Sequence, residues 1–494
     1  MKNAIVIGSG FSGMSAASFL AQSGWNVHVL EKHSIAGGRA RFFQDQGFTF
    51  DMGPSWYWMP DVFERYFNCF GKNVSSYYSL ERLDPSYRVY YSDSVMDIPA
   101  DYQQLQSLFE SIEPGSAKAL EKFLKEAAYK YDVGINKLVH KPGQRLSEFL
   151  DVDLVKGIFK LDVFSSMKTH IRKYFKNPKL IQLLEFPVLF LGALPSDIPA
   201  LYSLMNYADI KLGTWYPQGG MYNIVLGMQK LAQELGVQFH FNCEVTKIET
   251  QNGMAKNVHF NQGGNPTSMA ADIVVGAADY HFIESKLLDS SDQSYSNKYW
   301  DSRVMAPSCL LYYVGLNKKL KNITHHSLFF DVDFDQHGNE IYTQPGWPSE
   351  PLFYVSAPSV TDATVAPANS ENLFFLIPVA AGLEGDDEKT RNYYFEKIVK
   401  RYEHHIQQSI TDAIVFKKSY AISDFKNDYN AFKGNAYGLA NTLKQTSILK
   451  PSLKSKKIKN LFYTGQLTVP GPGVPPSLIS GEVVSREINK MYKS

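Results

Sequence analysis

Ala4 to Arg41 reads AIVIGSGFSGMSAASFLAQSGWNVHVLEKHSIAGGRAR. Ala4 to Ile7 is a short apolar run that predicts a buried strand. Gly8, Gly10 and Gly13 follow in G-x-G-x-x-G order, and a small-residue helix comes next, with Ala16, Ala17, Leu20 and Ala21 on one face. Gly24 ends that helix, and Val27, Val29 and Leu30 predict a second strand that stops at Glu31. Each part has a physical use in holding a dinucleotide. Gly8 allows the tight turn, Gly10 lets the backbone approach a pyrophosphate, and Gly13 lets the helix pack on the strand. The helix N-terminus offers free N–H groups and a partial positive charge to the phosphates. Glu31 stands 18 positions beyond Gly13, where an acid can bind ribose hydroxyls.

Working outward, Gly37-Gly38-Arg39-Ala40 adds flexible backbone and one guanidinium for a pyrophosphate oxygen. Phe48 to Tyr57, FTFDMGPSWY, reads as an alternating strand that runs into Gly53-Pro54, where a glycine lets a flat ring lie against the backbone. The second glycine loop directs the reading from nicotinamide towards flavin.

The chain of 494 residues is long enough for two or three domains. Its net charge of +1 gives no electrostatic case for nucleic acid. Aromatic residues make up 14%, with 30 Tyr and 32 Phe, which suits a large apolar pocket as well as a packed core. Cys69, Cys243 and Cys309 show neither metal-ligand spacing nor a disulfide framework, so no metal and a reducing compartment are expected. The nucleotide strand begins close to the first residue, so a signal peptide is not expected. No apolar run reaches the ~18 residues of a membrane span. The nearest is Phe186 to Leu194, behind the basic aromatic stretch Lys168 to Lys179, and it reads as a core helix or as an element resting in a membrane interface.

Leu105 to Tyr131 predicts two helices broken at Pro114-Gly115, and Leu180–Leu194 and Ile198–Leu212 predict two more. Trp215 to Met221 predicts a turn, Ile224–Leu235 an amphipathic helix and Val237–Phe241 a strand. A further strand runs from Cys243 to Thr250, and Asp272–Ala277 is a buried one. Runs at Cys309–Val314, Leu328–Val332, Phe353–Ser356 and Phe374–Val379 predict a second, mostly antiparallel sheet, followed by one helix over Arg391–Ile410. At the C-terminal end, Leu461–Thr464 predicts a strand, and Gly465, Gly471 and Gly473 punctuate a Pro-rich loop. A helix over Ser477–Ile488 would turn its start towards a flavin and stabilise the charge of the reduced ring.

G-x-G-x-x-G, G-G-R-A, FDMGPS, the PQGGM turn and GQLTVPGPGVP occur in this order, together with ADIVVGAAD, HHSLFF at His325 to Phe330, PSVTDATVAP and AYGLANTLKQTSILKP. This set resembles the bacterial FAD-dependent phytoene desaturases, carotenoid enzymes of the flavin amine-oxidase superfamily, over nearly the whole chain. Relatives often carry GAGTHPG where this chain has Gly465-Gln466-Leu467-Thr468-Val469-Pro470-Gly471. The resemblance implies an α/β fold: a Rossmann-like FAD-binding domain (1–75, 213–300 and 455–494), a substrate domain with a mixed β-sheet (76–104 and 301–454), and a helical, membrane-contacting insertion (105–212). It implies that FAD is held by Gly8, Gly10, Gly13, Glu31, Lys32, Gly38, Arg39, Gly53, Pro54, Ser55, Val245, Gly465, Gln466, Gly473, Val474 and Pro475.

The implied reaction is dehydrogenation of phytoene towards lycopene, with hydride transfer to the flavin N5. Asp162, His170, Arg172 and Glu185 are the candidates for a proton acceptor, although each residue type is more often a surface or paired group. No second nucleotide fingerprint marks an NAD(P)H site, so oxygen or a membrane quinone is the expected electron acceptor. An apolar substrate implies a cytoplasmic protein peripheral to the inner face of the cell membrane, open to forming a homo-oligomer. Alternatives on the same scaffold are a hydroxycarotenoid 3,4-desaturase, another carotenoid desaturase, an isomerase or oxidase, and more distantly an amine oxidase or a non-catalytic flavin-binding escort.

Overall fold

Asn3–Ile7 is the central strand of a five-stranded, all-parallel sheet, which explains why an uninterrupted apolar run suits it: both faces are covered. The order across the sheet is Leu461–Tyr463, Ile273–Gly276, Asn3–Ile7, Asn26–Leu30, Gln238–His240. Strands from the start, the middle and the end of the chain thus lie side by side. The computed structural model describes residues 2–145, 148, 162, 165–189, 192–442 and 444–492.

The helix Phe11–Gln22 is buried along nearly all its length, so its small residues are needed for close approach on several sides. The C-terminal helix Val474–Tyr492 crosses it at Gly481, where a Cβ would come within 2.4 Å of the Ser12 carbonyl oxygen and 2.6 Å of the Ala16 nitrogen. Ser485 Oγ donates to the Ala16 carbonyl at the same crossing. That helix begins at Val474, earlier than the expected Ser477, and takes Pro475 and Pro476 into its first turn. Prolines are tolerated there because first-turn N–H groups have no partner within the helix.

A seven-stranded sheet forms the second layer, in the order Ile414–Tyr420, Ser308–Leu316, Glu371–Val379, Phe353–Ser356, His326–Phe330, Tyr87–Tyr91, Val95–Ile98. All its pairings are antiparallel except the one between His326–Phe330 and Tyr87–Tyr91. Alternation sorts its side chains to two covered faces. Leu310, Tyr312, Phe329, Phe353, Phe375 and Ile377 pack with Tyr394, Ile398 and Tyr402 of the helix Glu388–Ile406. Cys309, Leu311, Leu328, Tyr354, Phe374 and Leu376 face the other way, into the main core.

Several boundaries differ from the sequence reading. The strand expected over Phe48–Tyr57 is confined to Phe48–Asp51, because its continuation folds into the cavity wall described below. The long helix spans Glu388–Ile406 and stops where Gln407 turns left-handed, at φ 55°. Leu105–Tyr131 is two helices, Tyr102–Ile112 and Ser116–Val133, joined through left-handed Gly115. The helix expected to reach Leu194 is described as Pro178–Leu189; Phe190 and Leu191 lie outside the described residues. Ile198–Leu212 is a chain of short turns of helix, Ala200–Ser203, Leu204–Tyr207 and Ala208–Leu212. Phe186 is 2% exposed and packs among Trp56, Trp58, Tyr87 and Phe330, so this part of the run is core. Among the described residues no helix is long and apolar enough to cross a membrane. The three cysteines are free.

Candidate functional site

A cavity of about 460 Å³ runs from the carboxyl ends of the parallel strands to the inner face of the seven-stranded sheet. Of the sixteen residues expected to hold a cofactor, all but Gly13 line it. Gly13 has its own role: a Cβ there would stand 2.1 Å from the Gly8 carbonyl oxygen and 3.0 Å from Ala277 Cβ, so its hydrogen is what lets helix and strand meet. Gly8 turns at φ 101°. Gly10, the cap of the first helix, carries no side-chain cap, and a Cβ on it would meet nothing within 4 Å, so it faces open space.

At one end, Glu31 is buried and its carboxylate accepts from Ser9 N at 2.9 Å, Ser9 Oγ at 2.7 Å and His33 N at 3.0 Å. Its carbonyl accepts from Cys243 N at 2.8 Å, which brings Val245 to the cavity. Lys32 donates to the Asn427 carbonyl at 3.0 Å, and burial lowers its pKa.

In the middle, Arg39 is held on three sides. Its Nη2 donates to the Asn435 carbonyl at 3.2 Å, and its guanidinium lies 5.2 Å from the Tyr429 ring centre. The Gln466 amide, turned with its oxygen towards Arg39, accepts from Nη2 at 3.0 Å and Nη1 at 3.3 Å. Arg39 Nε is buried without a partner, an unmet donor beside the glycine turn. Gln466, which departs from the usual motif, therefore aims the arginine. Gly53 is required by the Arg39 carbonyl, 2.6 Å from where its Cβ would be. The PQGGM turn serves Asp51, whose carboxylate accepts from Met221 N at 2.7 Å and Tyr222 N at 3.0 Å. Burial pushes Asp51 up to about 6, against those two hydrogen bonds.

The C-terminal corner is less rich in donors than its loop-helix pattern implies. Pro475 and Pro476 have no N–H, and Ser477 N is spent on the Gly473 carbonyl at 3.0 Å. Val474 N–H and the dipole of a 19-residue helix remain. Nearby, Lys450 Nζ and Asn441 Oδ1 are buried without partners, and burial pushes Lys450 down to about 7.

The far end is apolar and aromatic, with Trp56, Trp58, Ile135, Leu204, Tyr354 and Leu376 in its wall. None of the four proton-acceptor candidates lines the cavity. Arg172 is spent on Glu185, whose side chain is 3% exposed. Asp162 pairs with Lys130 at 2.9 Å, and Lys130 Nζ lies 3.3 Å from His170 Nε2 and donates to the Ala200 carbonyl at 3.2 Å. Burial and the Lys130 charge push His170 down to about 4. Glu126, Asp162 and His170 converge with metal-like spacing, but the lysine ammonium already supplies the cation.

The residues present fit a flavin dinucleotide: a turn open to solvent-sized space at Gly10, an acid at the strand end, and an orphaned guanidinium nitrogen between them. Comparison with known proteins agrees. Residues 11–489 match the family of flavin containing amine oxidoreductases. The chain is 40% identical over 481 residues to a carotenoid 3,4-desaturase of Haloarcula japonica, covering 97% of this chain and 96% of that one. It is 30% identical to a zeta-carotene-forming phytoene desaturase of Myxococcus xanthus, over 98% of this chain and 93% of that one. The chain belongs to the carotenoid desaturases of the flavin amine-oxidase superfamily. As such it is an FAD-dependent oxidoreductase. The fold is shared with an oxidoreductase from Methanosarcina mazei at a TM-score of 0.62 and 15% identity, covering 98% of this chain and 100% of that one.

Ser9, Asp279, Tyr429, Tyr437 and Asn441 also line the cavity, beyond the residues expected to hold the cofactor. Asp279 is the last residue of ADIVVGAAD, Ser9 lies within the glycine turn, and Tyr437 and Asn441 lie in AYGLANTLKQTSILKP; Asp279 accepts from Phe282 N at 3.0 Å and Phe432 N at 3.1 Å. Glu31→Ala is expected to weaken FAD by about 1–3 kcal/mol, the scale of a lost charged hydrogen bond, read by titration of apo-protein. Unchanged affinity removes Glu31 from the site.

Proposed function

We propose that the protein dehydrogenates an acyclic carotenoid precursor, phytoene towards lycopene, at the aromatic end of the cavity. The observation that carries this reading is the segregation of charge among the described lining residues: Glu31, Glu244, Asp279 and Asp428 gather around Lys32 and Arg39, apart from the wall of Trp56, Trp58, Ile135, Leu204, Tyr354 and Leu376. Such a wall suits a hydrocarbon and offers a soluble amine no anion. FAD is held by the sixteen residues above, fifteen by lining and Gly13 by packing. When bound, it supplies the two-electron acceptor. The chain's own part is to align the polyene and exclude water. A second reading, 3,4-desaturation of a hydroxycarotenoid, is favoured by the 40% identity to a 3,4-desaturase against 30% to a phytoene desaturase.

The division into a cofactor unit, a substrate unit and a helical insertion at the boundaries given above belongs to this proposal. So do oxygen or a quinone as electron acceptor, peripheral contact with the inner face of the cell membrane, and self-association. Membrane contact is supported by the insolubility of the substrate, while the described part of the Phe186 stretch offers no exposed patch for it. Expression in a phytoene-accumulating bacterium tests the reading. Red lycopene is the expected result. Unchanged phytoene with a converted hydroxycarotenoid selects the second reading, and peroxide release from a soluble amine with no pigment change overturns both.

A further inference from the structure

The inner face of the seven-stranded sheet carries a pair of polar side chains that the proposed reaction has not yet used. Strands His326–Phe330 and Phe353–Ser356 pair antiparallel, with Leu328 opposite Tyr354 and His326 opposite Ser356. Residues two apart share a face, so His326 and Tyr354 are diagonal neighbours. The Tyr354 hydroxyl stands 2.6 Å from His326 Nδ1. Tyr354 lines the cavity, and His326 lies behind it with no exposed surface. Trp56, another wall residue, stacks flat on the imidazole, with ring centres 4.2 Å apart and planes inclined by 10°. That stack fixes the ring. Ser356, Ser55 and Trp56 present hydrogen-bonding groups to the Tyr354 oxygen and work against burial, which raises the phenol.

His326 Nε2 is buried without a partner. Burial holds this imidazole well below its ordinary pKa, with the neighbouring His325 adding to the effect, so the ring is neutral and keeps a lone pair. The His325 ring lies 4.4 Å away, and its Nδ1 is hydrogen-bonded with Thr361 Oγ1 at 2.8 Å. Both histidines belong to HHSLFF, a motif without an assigned task so far.

We propose that Tyr354 is the catalytic proton acceptor of the dehydrogenation and that His326 is the positioning residue that takes up the phenol proton. The inference rests on the polyene reading above. One substrate carbon gives up a hydride, the two-electron oxidation that the cofactor serves. The neighbouring carbon gives its proton to the Tyr354 oxygen. The Tyr354 proton passes to His326 Nδ1, and the electron pair of the broken C–H bond becomes the new C=C bond. A strong base is unnecessary, because a proton beside an allylic cation is very acidic. Position and a free lone pair are the requirements.

The test is anaerobic single turnover of the FAD-loaded enzyme, following flavin bleaching and polyene absorbance together. Substrates deuterated at the hydride-losing or at the proton-losing carbon are compared in wild type, Tyr354→Phe and His326→Gln. In wild type the lengthened chromophore should appear together with bleaching. In Tyr354→Phe it should lag behind bleaching by about a hundredfold, the typical contribution of a positioned base. The lag should show an isotope effect at the proton-losing carbon. His326→Gln, which retains a hydrogen-bonding partner for the phenol, should lag less. Signals that stay together without an isotope effect in a folded, FAD-loaded Tyr354→Phe overturn the proposal and leave the polyene reading standing. Absence of bleaching by any polyene in wild type overturns both. Independently of the variants, the ¹⁵N resonance of His326 Nδ1 in wild type should be that of an unprotonated acceptor, and a protonated Nδ1 overturns the pairing.

Discussion

Gly10→Val is expected to yield a folded protein that carries no FAD. Among the described residues nothing beyond the local backbone stands within 4 Å of a Cβ at this position, so the valine has room in the apo-protein. The space it takes is the space in front of the uncapped helix start, where a pyrophosphate must approach the backbone. We expect a loss of about 4 kcal/mol or more, roughly a thousandfold in affinity, read as colourless protein with an unchanged melting transition. Gly13→Val, three residues away, should fail differently. Its Cβ would overlap the Gly8 carbonyl at 2.1 Å, so the strand–helix joint itself must open. Soluble protein should be lost, at a cost beyond about 4 kcal/mol. If Gly10→Val retains full FAD, the glycine turn is not the pyrophosphate site.

Arg172→Ala is expected to destabilise the fold while sparing the flavin chemistry. Glu185 is 3% exposed and Arg172 is its ion-pair partner. Removing the arginine strands a buried carboxylate, which costs about 3 kcal/mol, the low end for such pairs because Arg172 still reaches solvent. The pH dependence follows from the direction of the shift. Burial raises Glu185 above its ordinary value, and Arg172 pulls it back. A carboxyl raised in the folded state binds protons the unfolded chain has already released. Its contribution is therefore present at low pH and is lost as pH rises through the folded value. Without Arg172 that value climbs further, so the variant should melt closest to wild type in mild acid and fall away towards neutrality. Glu185→Gln in the same background should recover much of the loss. Flavin reduction per folded molecule should remain that of wild type; a specific loss of reduction in Glu185→Gln would return this pair to the list of catalytic groups.

The cofactor end of the site was largely legible in the sequence because its parts are local. A turn between adjacent elements needs glycine for reasons internal to about thirty residues, and Glu31 follows its strand directly. The C-terminal corner was legible in outline only. Its loop and helix are where the motif implies, yet the two prolines remove donors, and Gln466 works by aiming Arg39, more than four hundred positions earlier. The four candidates of the helical region were chosen for their chemistry; the structure places them outside the cavity lining, with Lys130 beside Asp162 and His170 and Arg172 paired with Glu185.

By itself the sequence determined a dinucleotide turn, since short-range spacing and apolar periodicity are properties of contiguous residues, and it carried a resemblance to the carotenoid desaturases along nearly its whole length. Only the tertiary structure decided which side chains share the cavity. His326 and Tyr354 meet because one strand pairing has one register, and a slip of a single residue would turn each to the opposite face of the sheet.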